Sequence, residues 1–265
     1  MQENWIVETK KFFVSVIIPV FNGEVFLAEA VESIWLQNYQ PLEIIIIDDG
    51  STDGTAEIAR GFSGNVIYEY QTNSGPSVAR NKGIAMARGN IIGFIDVDDL
   101  WSDKKLEVQL DYLRKDLSAD IVMGYTQRMQ RTENEKGKFA FKNWEQPLLT
   151  MHIGSALFRK SVFDKVGLFD ESLGFCEDWD WFMRAKELHV SIAVLKEVTY
   201  LYRRHQENMT NDTEINFKYA LKMIKLSLDR RRKHHGGRVG QLPKLSDFTV
   251  ESLLPGSDKK EDGEK

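Results

Sequence analysis

Leu42-Glu43-Ile44-Ile45-Ile46-Ile47-Asp48-Asp49-Gly50-Ser51-Thr52-Asp53-Gly54 is the stretch on which the fold turns. Its apolar part lacks the polar alternation of a half-exposed strand, so Leu42–Ile47 reads as a strand buried on both faces. The acidic turn after it leads into a helix, with Ser51, Thr52 or Asp53 as candidate N-cap. Upstream, Phe13–Val20 is another short β-branched run, stopped by Pro19 and the turn pair Asn22-Gly23. Leu27, Val31, Ile34 and Trp35 then fall at i, i+4, i+7 and i+8, one face of a helix. Downstream, Val66–Tyr70 and Ile91–Ile95 read as strands, and Ser77–Arg88 as a helix closed by Gly89. This alternation predicts an α/β fold with a mostly parallel sheet and helices on both faces. Ligands gather beyond the carboxyl ends of such strands. Asn22-Gly23, Asp48–Asp53 and Asp96–Asp99 are therefore expected to meet in one crevice.

The second half is less regular. Gln127–Gln146 is polar and charged and reads as a loop. Ser155–Phe158, Val190–Leu195 and Val198–Tyr202 read as strands, and Glu177–Leu188 and Glu214–His234 as helices. Residues 12–125 thus form one half, 126–235 a second half of the same domain, and 236–265 a tail whose Gly, Pro and charge predict partial disorder. With 42% hydrophobic residues among 265, the chain can bury a sizeable core. A net charge of −5 argues against a nucleic-acid partner, which calls for a basic surface. The single cysteine, Cys176, has no internal disulfide partner. Met1–Lys11 lacks an apolar leader, and no apolar run is long enough to span a bilayer. The expectation is a soluble, cytoplasmic protein.

Asp96-Val97-Asp98-Asp99 packs three carboxylates into one strand end, where they repel unless a cation or solvent separates them. Hard oxygen ligands suit Mg2+ or Mn2+, which bind one or two carboxylates plus substrate phosphates. An acidic turn capping the following helix accounts for the motif equally well when it is taken alone. Asp48–Gly54 is likewise explained by a tight turn, although an aspartate there can also accept from the N–H of a pyrimidine base.

Taken together these segments carry a family resemblance. Val14–Asn22 followed by Asp48–Thr55 closely resembles the opening of family-2 inverting glycosyltransferases. Gly75-Pro76 and Ala79–Ile84 resemble that family's next block, and Asp96-Val97-Asp98 its D-x-D metal motif. Glu177-Asp178, followed by Arg184, resembles its catalytic acidic pair, and Tyr202–Asn208 its tyrosine-arginine-x-histidine segment. The resemblance runs from about Val14 to Asn208. It implies a GT-A fold and transfer of a sugar from a nucleotide-diphospho-sugar, with a uridine nucleotide favoured, to a carbohydrate or lipid-linked hydroxyl. It further implies that Pro19, Phe21, Asp49 and Arg80 line the nucleotide pocket, with Asp49 on the base. Asp96 faces the ribose or sugar, Asp98 binds a divalent metal, and His205 completes the metal shell or contacts the leaving phosphate. Asp99 assists or shapes the turn. Asp178 is the general base, and its place in the first turn of a helix favours the ionised form.

Trp179 and Trp181 flank Asp180, and helical spacing turns only one of them toward a site, where it can stack on a sugar. The Q-x-x-R-W segment and membrane helices of processive members are missing, so a single transfer is expected. The basic run Arg230–Arg238 suggests peripheral contact with anionic membrane. Two rival readings are a nucleotidyltransferase, which should carry a Gly- and Lys-rich first loop in place of Phe21-Asn22-Gly23-Glu24, and a non-catalytic module, which should have lost a carboxylate.

Overall fold

The structure, a computed structural model, describes residues 11–133, 139–206, 208–211, 213–234 and 249–251. In chain order the elements are β1 (Val14–Val20), α1 (Leu27–Trp35), β2 (Leu42–Asp48), α2 (Thr55–Gly61), β3 (Val66–Tyr70), α3 (Pro76–Met86), β4 (Ile91–Phe94) and β5 (Leu100–Trp101). They continue with α4 (Lys105–Lys115), β6 (Ile121–Glu133), β7 (Phe139–Asn143), β8 (Ala156–Arg159), α5 (Val162–Val166), α6 (Glu177–Glu187), β9 (Ile192–Arg204), α7 (Thr213–His234) and β10 (Thr249–Glu251). The main sheet runs β10-β9-β6-β8-β4-β1-β2-β3, with β5 added to β9 and β7 to β6. It is a mixed α/β architecture with a mostly parallel sheet: β3, β2, β1 and β4 pair in parallel, and β8 runs antiparallel between β4 and β6.

Every residue of β1 and β2 is buried, as expected of strands covered on both faces. Successive side chains point to opposite faces. Val14, Val16, Ile18, Ile44 and Ile46 thus enter one core with Leu27, Val31 and Ile34 of α1, while Ile17, Ile45 and Ile47 enter another with Phe94, Trp181 and Phe182. Each such Val, Ile or Leu contributes about 1.5–3 kcal/mol through burial. Trp35 departs from its expected inward place. It is 46% exposed and meets Phe62 edge-on, because α1 ends at that residue and Ile34 closes the core.

Two expectations need correction. The polar stretch Gln127–Gln146 contains strands: β6 runs on to Glu133 and pairs antiparallel with β7. Its outer part is a ribbon beyond the core, so its register comes from backbone pairing with β7 and β9 and leaves little apolar alternation to read. The two strands expected at Val190–Leu195 and Val198–Tyr202 are one, β9, pairing in parallel with β6 through register shifts around Tyr125. Exposed Lys196 and half-buried Glu197 sit at that irregularity and broke the apolar run. One sheet therefore passes through residues of both halves. Apart from β10, the tail 236–265 lies outside the described residues.

Candidate active site

The first two loops at the carboxyl ends of β1 and β2 are laced together. The Asn22 backbone, at φ +52°, lets its N–H donate to Ser51 Oγ, while Asn22 Oδ1 accepts from the Thr52 N–H. The Gly23 N–H donates to Thr55 Oγ1 at 2.8 Å, the Glu24 N–H to Asp53 Oδ2, and the Gly54 N–H to Glu24 Oε2. A side chain at Gly23 would run into Val20 and Val97, so this close approach depends on glycine. Asp48 is spent on the same framework, accepting from the Ser51 N–H and the Tyr68 hydroxyl.

Asp49, 4% exposed, ties β2 to the loop before α3. Its Oδ1 accepts from Gln71 Nε2 and the Ser74 N–H, and its Oδ2 from the Gly75 N–H, at 2.7–2.8 Å. A carboxylate offers about four acceptor positions, so Asp49 keeps capacity for a further donor. Phe21, just past β1, is half exposed, whereas Pro19 is buried inside β1.

Arg80, on α3, reaches into the interior instead of lining an open pocket. Its guanidinium is 2.7 Å from Asp96 Oδ1 and also bonds Glu177 Oε1, leaving Nε without a partner. One buried cation thereby joins the end of β4 to the first turn of α6. Burial raises the Asp96 carboxyl, but Arg80 and then His152 outweigh it and hold it below the usual carboxylate range. His152 was not found from sequence. Its Nε2 lies 3.5 Å from Asp96 Oδ2, its ring stacks at 4.7 Å on Tyr200, and its Nδ1 accepts from the Gly154 N–H. That last bond assigns the proton of the neutral ring to Nε2; burial keeps its pKa low.

Asp99 is 1% exposed and accepts from the Tyr200 hydroxyl at 2.6 Å and the Arg203 N–H at 2.7 Å. Burial, then Asp98 and Asp96, push its carboxyl far up. Of the two readings left open for it, shaping the turn fits this enclosure. Asp98 is more open. Its Oδ2 is 3.0 Å from His205 Nε2 and 2.9 Å from Asn208 Nδ2, and Arg203 Nε donates to its backbone carbonyl. The His205 ring rests on Phe26 at 4.9 Å, and the His205 N–H donates to Asn208 Oδ1.

Among the described residues, two groupings around Asp96–Asp99 could hold a cation. Donor atoms of Asp96, Asp99 and His152 lie within 4.8 Å of one another, but both Asp99 oxygens are already engaged and His152 Nε2 carries the proton. Asp98 and His205 fit better. Adjacent ligands of an octahedral ion at about 2.1 Å stand about 3.0 Å apart, matching their separation.

Asp178 sits in the first turn of α6, after Cys176 at φ +62°, and its Oδ1 accepts from the Trp179 N–H. The helix start was expected to favour its ionised form. Instead burial, then Glu177, raise its pKa to about 8, with Arg80 pulling the other way. Of the two tryptophans, Trp179 is 51% exposed, while Trp181 is fully buried with Nε1 donating to the Gly167 carbonyl. Arg203 and Asn208 were also missed. Both lie inside the Tyr202–Asn208 segment, so that signal was present; Tyr200 and His152 offered none.

Comparisons with known proteins bear on the family and the fold. The family model described as glycosyl transferase family 2 matches residues 15–167. An uncharacterized glycosyltransferase of Rickettsia typhi is 33% identical over 218 residues, 77% of this chain and 67% of that protein. Among solved structures, S. aureus TarS 1-349 in complex with UDP-GlcNAc superimposes with a TM-score of 0.66 at 20% identity, covering 83% of this chain and 66% of that one. The mannosyltransferase PcManGT from Pyrobaculum calidifontis, in complex with GDP-Man and Mn2+, gives 0.62 at 17% identity, covering 88% and 66%. The chain spans about two thirds of the length of these proteins, and its fold is theirs, GT-A.

Proposed function

The chain belongs to glycosyl transferase family 2, and from that premise we propose that it moves a sugar from a nucleotide-diphospho-sugar to a hydroxyl acceptor, once per encounter and with inversion. The observation that carries this reading is the Asp96–Arg80–Glu177 bridge, which ties the D-x-D turn to the helix turn bearing Asp178.

The donor is a UDP-sugar. Support comes from the spare acceptor capacity of Asp49, suited to a uracil N–H, from exposed Phe21 just past the end of β1, and from the likeness to UDP-GlcNAc-bound TarS. Buried Pro19 shapes the strand end, and Arg80 acts on the donor through Asp96, which faces the ribose or sugar. Asp98 and His205 would hold a divalent cation, Mg2+ or Mn2+. When bound, the ion offsets negative charge on the departing diphosphate. Asn208 and Arg203 fix the Asp98 side chain and backbone for that task.

Asp178 is the general base. The acceptor oxygen attacks the anomeric carbon opposite the diphosphate, the carbon–phosphate-oxygen bond breaks, and the acceptor proton passes to an Asp178 oxygen. A pKa near 8 suits the role, because catalytic bases work best when tuned near the operating pH. Trp179 is the acceptor platform, and the acceptor is a carbohydrate or lipid-linked hydroxyl. Measuring nucleotide diphosphate release from a panel of nucleotide sugars, with Mn2+, Mg2+ or chelator, tests the proposal. Metal-dependent release from one donor is the expected result. Binding of no nucleotide sugar under any of these conditions would overturn the donor site.

A further inference from the structure

The last long helix faces the wrong way for a helix that serves only the core. α7 packs inward through Met223 and Ser227, both buried, with Ser227 Oγ donating to Glu187 and Arg230 reaching Asp180 and Glu187. On its outer side Phe217, Leu221 and Ile224 are 67%, 51% and 48% exposed. At 100° per residue these three, with half-buried Leu228, form one stripe about 60° wide. Exposed Lys218, Lys225 and Arg232 border it along one side. Within α7 seven Lys or Arg stand against two Asp or Glu, in a chain whose net charge is −5. An outward apolar stripe beside a basic flank is the pattern of a helix lying in a lipid headgroup boundary.

We propose that the outer face of α7 docks on an anionic lipid surface, with Phe217, Leu221 and Ile224 entering the headgroup boundary and Lys218, Lys225 and Arg232 meeting lipid phosphates. A second copy of the chain is the poorer occupant. In a two-fold contact the same patch meets itself, which sets these cations against their own kind. An anionic bilayer satisfies stripe and flank together. No helix among the described residues is long and apolar enough to cross a membrane, and the stripe suits α7 to lie along the surface. The attachment reaches past the terminal basic run, since the apolar residues lie in the first two thirds of α7.

The consequence for the site rests on the transferase reading; the binding itself does not. α7 begins just beyond Asn208, the partner of Asp98, and Lys222 Nζ donates to the Ser172 carbonyl in the segment leading to Asp178. Docking would therefore hold the mouth of the crevice next to the lipid surface, where a lipid-linked hydroxyl is presented.

Co-sedimentation with phosphatidylcholine vesicles, with and without phosphatidylglycerol, tests the docking without any turnover. Wild type should bind the anionic vesicles and weaken with salt. Phe217→Ser/Leu221→Ser/Ile224→Ser should lose binding about tenfold or more, and Lys218→Gln/Lys225→Gln roughly fivefold per charge. All five positions are exposed, so melting temperature and nucleotide-sugar binding should stay unchanged. Failure of wild type to bind anionic vesicles at low salt would overturn the proposal. So would binding that the triple serine variant leaves intact, or a wild-type dimer that this variant dissolves, which would give the stripe to a second copy. None of these outcomes bears on donor chemistry, which the release experiment reads separately.

Discussion

At the residue scale the sharpest consequence concerns Asp178. Its raised pKa, about 8, makes it a base largely protonated at neutral pH before donor binds, so kcat/KM should climb between pH 7 and 9 with a midpoint near 8. The same shift carries a stability sign. Native Asp178 holds a proton that the unfolded chain, at 3.8, has released, so its contribution favours the fold below about pH 4 and is lost as pH rises through 8. Asp178→Asn should cut transfer by about 100- to 10,000-fold with donor affinity kept, and should abolish the midpoint. Arg80→Met should strand Glu177 as a buried carboxylate and leave half-buried Asp96 without its cation, costing about 3 kcal/mol in urea denaturation. These roles were unequally legible. Asp98, His205 and Asp178 could be singled out from sequence because each sits in a compact local motif. His152 and Tyr200 act through partners far along the chain, Asp96 and Asp99, and a residue whose only signal is a distant contact looks ordinary. Arg80 was placed at the site from sequence, but its burial between two acids depends on α6 folding back.

At the element scale, the lacing of the first two loops accounts for most of the Asp48–Thr55 stretch. Thr55→Val removes the acceptor of the buried Gly23 N–H and should cost about 1–3 kcal/mol by thermal or chemical denaturation. α4 carries an opposite case. Lys105 is fully buried, its Nζ donating only weakly to the Ala156 carbonyl at 3.4 Å, and burial drives its pKa well below 10.5. The unfolded chain takes up a proton there that the native one lacks, so this residue makes stability rise with pH. Lys105→Met should raise the melting temperature, with the largest gain at low pH. The strands β1, β2 and β4 were legible because burial on both faces writes continuous apolar runs. β6 and β7 were not, since a ribbon outside the core is held by backbone pairing and tolerates Gln, Arg and Lys.

At the scale of the whole molecule, one sheet passes through residues of both halves, and the D-x-D turn between β4 and β5 stands where the first crosses into the second. That position lets Arg80 from the first half join Asp96 to Glu177 of the second, while His205 and Asn208 from the second reach Asp98. The proposed function depends above all on Asp98 and His205 forming a cation site that donor binding requires. Calorimetric titration of a UDP-sugar into wild type, Asp98→Ala and His205→Ala, each with Mn2+ and with chelator, tests it most directly. Tight donor binding to wild type only with Mn2+, and the same weak binding with or without metal in both variants, is the expected result. Donor binding that ignores the metal in wild type, or stays metal-dependent in both variants, would contradict it.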